Sequence, residues 1–327
     1  EVEKNIEEYI DDIDKIDYHP VGANVGRKVH MHNGQRDYID YLKSIVNVDF
    51  KGLKVVLDCA NGAAYQVAPT VFEELGASVV TINSQPDGNN INDKCGPTHP
   101  KSLQQAVVDN KADLGLAYDG DADRLIAVDE NGNIVDGDHI MILSAIYLKK
   151  KNKLAQDTLV VTVMSNIGLT IAAKEHGINL ATTSVGDRYV LEEMKKSGYN
   201  LGGEQSGHMI FLDYNTTGDG VLSSLVLAEI VLEESKKLSE LASVMTQYPQ
   251  VLVNAKIKNE NKNRYMEYPE IKAEIERIEA LLDGCGRVLI RPSGTEPLVR
   301  VMLEGKEEGQ IKELATNLAE LIKSKLS

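Results

Sequence analysis

Lys54-Val55-Val56-Leu57-Asp58-Cys59-Ala60-Asn61-Gly62-Ala63-Ala64 sets a short β-branched run before a glycine turn. A helical pattern to Leu75, a stop at Gly76 and a second apolar run from Ala77 to Ile82 follow. Two strands joined by a helix make a βαβ unit, because parallel strands need a long crossover. Outward from it, a helix from Pro100 to Asn110 leads into a strand from Ala112 to Tyr118. Leu125 to Val128 and Asn133 to Val135 flank Asn131-Gly132 and read as a hairpin, so this sheet is mixed. From His139 the alternation restarts, with strands at Thr158 to Met164, Ile178 to Thr183, Tyr199 to Leu201 and Met209 to Leu212. Its helices run to Lys149, then over Leu169 to His176, Arg188 to Lys196, Asp219 to Glu234 and Ser239 to Gln247. Gly76, Gly177 and Gly198 fall where a left-handed C-cap is expected. Beyond Val251, strands and the helices Glu270 to Leu282 and Gln310 to Lys325 segregate, an α+β pattern. The expected fold is α/β: two consecutive mixed-sheet α/β domains (51–138 and 139–248) and a small α+β C-terminal domain (249–327). Residues 1–50 read as a connector.

The 327 residues carry a net charge of −15. Such a chain repels nucleic-acid phosphates and anionic lipid, and the densest basic run, Lys149 to Lys153, is too short to reverse this. The most apolar stretch, Val221 to Leu232, is broken by Ser223, Ser224 and Glu229 and falls below the ~20 residues of a membrane span. Neither nucleic acid nor membrane is expected as a partner. Cys59, Cys95 and Cys285 show no C-x-x-C spacing, so no disulfide framework or cysteine zinc site is expected. With no basic-then-apolar leader, a cytoplasmic location is the expectation, and the start at Glu1 without methionine reads as a piece cut from a longer chain.

Three segments carry chemistry. Asp119-Gly120-Asp121-Ala122-Asp123-Arg124 places carboxylates at alternate positions after an apolar strand, and a divalent cation relieves their repulsion; oxygen-only ligands favour magnesium over zinc. A helix-loop-helix calcium site is excluded, because the sixth position is Arg124 and strands flank the loop. Gly202-Gly203-Glu204-Gln205-Ser206-Gly207-His208 offers carboxylate, amide, hydroxyl and imidazole between glycines, as a loop that binds sugar hydroxyls requires. Arg291-Pro292-Ser293-Gly294-Thr295-Glu296-Pro297, with Arg300 close behind, makes a nest for a phosphate dianion. Val185-Gly186-Asp187-Arg188 starts a helix, where Asp187 is an N-cap candidate. Cys59 to Ala64 lacks the G-x-G-x-x-G of a dinucleotide turn.

In this order the three motifs resemble the α-D-phosphohexomutase superfamily, and the surrounding sequence is similar to its phosphoglucosamine mutase branch. The resemblance runs from Leu53 to the C-terminus. It implies an isomerase converting glucosamine 6-phosphate to glucosamine 1-phosphate through a 1,6-bisphosphate and an enzyme phosphoserine, with Mg2+ as cofactor and a hexosamine phosphate as partner; a homodimer stays open. It implies that Asp119, Asp121 and Asp123 hold the metal. Glu204, Ser206, Asp187, Arg188, Arg291, Ser293, Gly294, Thr295 and Arg300 would bind substrate, Arg124 would steady the transferring group, and His208 would handle a proton or a hydroxyl. The superfamily's Ser-His-Asn-Pro loop has no counterpart here, so this chain alone is expected to be inactive, with Val2 to Lys43 leading out of a preceding domain. Two rivals stand beside this reading. One is a phosphomannomutase or phosphoglucomutase acting on a neutral sugar, against which Gln205-Ser206 speaks; the other is a non-catalytic module that binds sugar phosphates.

Overall fold

The computed structural model describes residues 2–13, 16, 18–293 and 296–327. The chain divides into two compact units, 1–38 and 39–327. In the first, helix α1 (Val2–Asp11) buries none of its residues. The His30 and His32 rings stack with centroids 6.1 Å apart.

Helix α2 (Gly34–Ile45) runs into the second unit, where Ile39, Leu42 and Ile45 are buried at helical spacing. Next come β1 (Lys54–Asp58), α3 (Ala64–Glu74), β2 (Ser78–Ile82), α4 (Lys101–Asn110), β3 (Leu114–Tyr118), β4 (Leu125–Asp129) and β5 (Ile134–Val135). They form a sheet in the order β2-β1-β3-β4-β5. β1 pairs parallel with β2 and β3, and β3-β4-β5 pair antiparallel, so the sheet is mixed as expected. β1, β3 and β4 are buried nearly throughout, which accounts for their unbroken apolar runs.

The second α/β unit holds α5 (Gly137–Lys150), β6 (Thr158–Thr162), α6 (Ile167–Glu175), β7 (Asn179–Thr183), α7 (Asp187–Ser197), β8 (Leu201–Gly203), β9 (Met209–Phe211), α8 (Gly220–Glu234) and α9 (Leu238–Ala242). Its sheet, β7-β6-β8-β9, is again mixed. The apolar stretch read at Val221 to Leu232 is the core of α8, buried on all sides and tied to the first sheet by the Tyr118 hydroxyl, which donates to Ser224 Oγ at 2.8 Å. No helix among the described residues is long and apolar enough to cross a membrane. α9 ends at Ala242, short of the Gln247 expected, and Tyr248 beyond it is bound to Asn166 at both its N–H and its C=O.

The last part consists of β10 (Gln250–Lys256), α10 (Pro269–Leu282), β11 (Arg287–Pro292), β12 (Leu298–Glu304) and α11 (Glu308–Leu326). Its antiparallel sheet has the order β10-β12-β11. One sheet face, with Val299, Val301 and Leu303, packs on Ile271, Ile278, Ile311, Leu318 and Ile322 of the two helices. Alternation along the strands therefore leaves Arg287, Arg291, Arg300 and Glu304 on the opposite face.

Candidate functional site

The acidic loop joins β3 to β4, where Tyr118 pairs with Leu125. Ala122 takes φ of 60° at its tip, and the loop closes on itself through Ala122 N–H to Asp119 O at 3.1 Å and Arg124 N–H to Asp119 Oδ1 at 3.2 Å. Asp119 and Asp123 are brought together. Burial, then the Asp123 carboxylate beside it, push the Asp119 carboxyl up to about 6, against the pull of Arg124. Asp123 Oδ1 is buried with no hydrogen-bond partner. Asp121 is exposed, and among the described residues no three His, Cys, Asp or Glu side chains gather closely enough to hold a metal ion. Two crowded carboxylates with an oxygen lacking a donor fit a hard divalent cation. They supply two ligands, and Asp121 has to turn inward to supply a third. Arg124, 48% exposed, stands 3.9 Å from Asp119.

The sugar loop is shorter than its motif, since Gly202 and Gly203 belong to β8 and pair with Ile210 and Met209. The remaining turn is zipped to the acidic loop. Arg124 and His208 form an antiparallel bridge, Leu125 N–H donates to Gly207 O at 3.0 Å, and Gly137 N–H donates to Gln205 O at 3.1 Å. Gly207 has φ of 96°, and a Cβ there would meet Leu125 O at 2.2 Å, so only glycine allows this approach. His208 is 3% exposed, with Nε2 3.6 Å from Asp123 Oδ2 and 3.9 Å from Asp187 Oδ2. Glu204 is half-buried and uses Oε1 to accept the Gly186 N–H at 3.0 Å, while Ser206 is exposed.

That bond places the 184–188 segment beside the sugar loop. Asp187 is the first residue of α7, and Gly186 takes the N-cap position, correcting the N-cap expectation. Arg188 directs Nε along the helix to Glu192 at 2.9 Å.

In the C-terminal sheet, Arg291 pairs with Arg300 across β11 and β12. Burial, then the neighbouring Arg300, lower the proton affinity of Arg291. Arg300 lies 3.6 Å from Glu296. Ser293 is buried, and its Oγ accepts the Glu296 N–H at 3.2 Å. Lys262, absent from the motif reading, donates to the Ser293 carbonyl at 2.9 Å; no sequence spacing links it to the loop. Gly294 and Thr295 lie outside the described residues. Among the described residues, no hydrogen bond joins Arg291, Ser293 or Arg300 to the acidic or sugar loops.

Three family models match in succession. Phosphoglucomutase/phosphomannomutase alpha/beta/alpha domain II matches residues 36–132, alpha/beta/alpha domain III residues 136–248, and the C-terminal domain residues 252–321. The chain belongs to this phosphohexomutase family. It is 81% identical over 327 residues to the phosphoglucosamine mutase of Clostridioides difficile (strain 630), covering 100% of this chain and 73% of that relative. It is 60% identical to the phosphoglucosamine mutase of Thermoanaerobacter sp. (strain X514), with the same coverage. Among solved structures, a phosphoglucomutase/phosphomannomutase family protein from Burkholderia thailandensis aligns with a TM-score of 0.74 at 23% identity, over 90% of this chain and 65% of that one. The N-acetylphosphoglucosamine mutase of Aspergillus fumigatus, in complex with GlcNAc-6P and magnesium, aligns with a TM-score of 0.70 at 21% identity, over 88% and 68%. At such identities these two speak to fold. The expected α/β, α/β, α+β succession is the family's.

Proposed function

We propose that this chain carries the cation, sugar and phosphate loops of a phosphoglucosamine mutase that interconverts glucosamine 6-phosphate and glucosamine 1-phosphate through a 1,6-bisphosphate, in the cytoplasm. The observation that supports this most is the backbone zipper between the acidic and sugar loops, in a chain 81% identical to a phosphoglucosamine mutase. Main-chain bonds tie together the segments that carry Asp123, His208 and Glu204, and such preorganisation is what phosphoryl transfer exploits.

Asp119 and Asp123, with Asp121 turned inward, would hold Mg2+. When bound, that ion neutralises charge on the transferring phosphoryl group. The chain's own groups do the rest. Glu204 keeps Oε2 for a sugar hydroxyl while Oε1 holds Gly186, and Ser206 offers a hydroxyl beside it. His208, buried near Asp123 and Asp187, holds or passes a proton at Nε2. Arg124 reaches over the acidic loop to steady phosphoryl oxygens. Arg291 and Arg300, like charges side by side, accept the dianionic end of the substrate through paired donors. Asp187, close to His208, and Arg188 beside it would contact the substrate.

The phosphoryl carrier is a phosphoserine that none of these loops supplies, so the chain assayed alone binds substrate without turning it over. A coupled assay with glucosamine 6-phosphate, catalytic 1,6-bisphosphate and magnesium tests the second half of this, and turnover at a mutase's ordinary rate would refute it. Calorimetric titration tests the first half. Glucosamine 6-phosphate is expected to bind more tightly than mannose 6-phosphate, and equal heats would favour the neutral-sugar rival.

A further inference from the structure

Glu304 ends β12 with 0% exposure, yet the steps above give it no part. Its Oε2 accepts from Arg287 Nε at 2.6 Å and from the Ile167 N–H at 3.0 Å, and Oε1 lies 3.4 Å from Asn166 Nδ2. Arg287 also donates to the Ser165 carbonyl at 2.6 Å. Asn166 caps α6 by accepting the Gly168 N–H, and it clasps Tyr248, donating to its carbonyl at 2.9 Å and accepting its N–H at 3.0 Å. A carboxylate of the C-terminal sheet thus completes the N-terminus of a helix in the preceding α/β unit, where its charge suits the helix dipole. The chain segment joining the two is held at the same point.

An apolar contact would be a cheaper way to join two modules, since burying an ion pair costs desolvation. What directional bonds to a buried charge add is a defined orientation. That matters here because Arg287 and Glu304 are cross-strand partners, and four residues further along the same two strands Arg291 faces Arg300. All four lie on the sheet face away from the C-terminal core. At about 3.4 Å per residue, roughly 14 Å of paired strand connects the buried end to the cationic end.

We propose that Glu304, with Arg287 and Asn166, is a positioning latch that fixes the orientation in which the C-terminal module presents Arg291 and Arg300 to the sugar phosphate. The proposal rests on the phosphate-site reading above, and it adds residues that touch neither substrate nor cation.

The test places spin labels at the exposed positions Lys174→Cys on α6 and Glu313→Cys on α11, in a Cys285→Ser background. It measures the interlabel distance distribution together with calorimetric affinity for glucosamine 6-phosphate. Glu304→Gln keeps the side chain's volume and an acceptor for Ile167 but forfeits the charge. Its distribution is expected to broaden and its affinity to fall about tenfold. Arg291→Ala should lower affinity with the distribution unchanged, a split that loss of stability alone does not produce. An unchanged distribution in Glu304→Gln overturns the latch, as does a broadened one with affinity intact. If Glu304→Gln does not fold, Arg287→Lys, which keeps the charge but loses the guanidinium's second arm, is held to the same two readouts. No affinity in the parent would overturn the phosphate-site reading, and the distance measurement would then judge the latch alone.

Discussion

Two junctions hold the chemistry-bearing loops, and they are built from different materials. Where the acidic and sugar loops meet, the joint is main chain: the Arg124–His208 bridge, Leu125 to Gly207, Gly137 to Gln205, and Gly220 N–H to Ala122 O at 2.8 Å. Where the C-terminal module meets α6, the joint is side chain, with Glu304, Arg287 and Asn166 carrying it. Backbone ladders leave two segments no freedom to slide, whereas a side-chain ion pair fixes an angle that one proton or one substitution releases. The acidic loop and the 204–208 loop are therefore set relative to each other by main-chain bonds, whereas the strand pair carrying Arg291 and Arg300 meets α6 through side chains that a substitution can remove.

The sharpest way to break that contrast is at the first junction. Gly207→Ala adds a methyl group 2.2 Å from a backbone oxygen at a left-handed position, so neither chain gives way cheaply. A loss of more than about 3 kcal/mol in urea denaturation is expected, together with loss of sugar-phosphate binding. Gly309→Ala is the control: nothing lies within 4 Å of its Cβ, and it sits in α11, where alanine should stabilise by up to about 1 kcal/mol. Equal effects at the two sites would mean that the zipper is not the rigid joint.

A smaller effect sharpens the acidic loop. Asp123 has a buried unpartnered oxygen and Asp119 stands beside it, whereas Asp121 faces solvent, so under the proposed cation role the first two should matter more. Asp123→Asn is expected to weaken magnesium binding at least tenfold by calorimetry, and Asp121→Asn by less. The reverse ranking would show that Asp121 turns in and dominates the site.

How much of this was legible in the sequence follows the same division. The mixed sheets and the α+β ending are periodic patterns, and DGDADR, GEQSGH and RPSGTEP are contiguous, so short-range reading reached them. The bridge from Arg124 to His208 joins two motifs identified separately, and only the fold shows that they share a ladder. Glu304 was invisible because a carboxylate at a strand end reads as a solvated terminus, and its partners Ile167 and Arg287 are 137 and 17 residues away. Lys262 escaped for the same reason, reaching the phosphate loop from outside it. Arg188 shows a limit of the same kind: the motif named it, but only the helix shows that its Nε meets Glu192 one turn on.

Beside the latch lies a further buried acid. Asp138 accepts the Asn166 N–H at 2.7 Å through Oδ2, while its Oδ1 is buried without a partner. Burial pushes this carboxyl up to about 7, over the opposing pull of the Asn166 N–H, and the Asp136 carboxylate adds to the rise. With the folded value above the unfolded one, the native state holds the proton more tightly, so the group's contribution is full below the unfolded range near 4 and is lost as pH rises through 7. Asp138→Asn keeps an acceptor for the Asn166 N–H and removes the titration. Wild-type stability should therefore decline between pH 4 and 7 relative to the variant, by at most about 1.4 kcal/mol per pH unit. Because Asp138 and Glu304 satisfy successive N–H groups at the start of α6, the decline should persist in Glu304→Gln if the two act independently and shrink if opening the latch lets water reach Asp138. Thermal melts of the three proteins at pH 4, 5.5 and 7 separate these outcomes. Parallel curves for wild type and Asp138→Asn would show that this carboxyl does not titrate in the window at all.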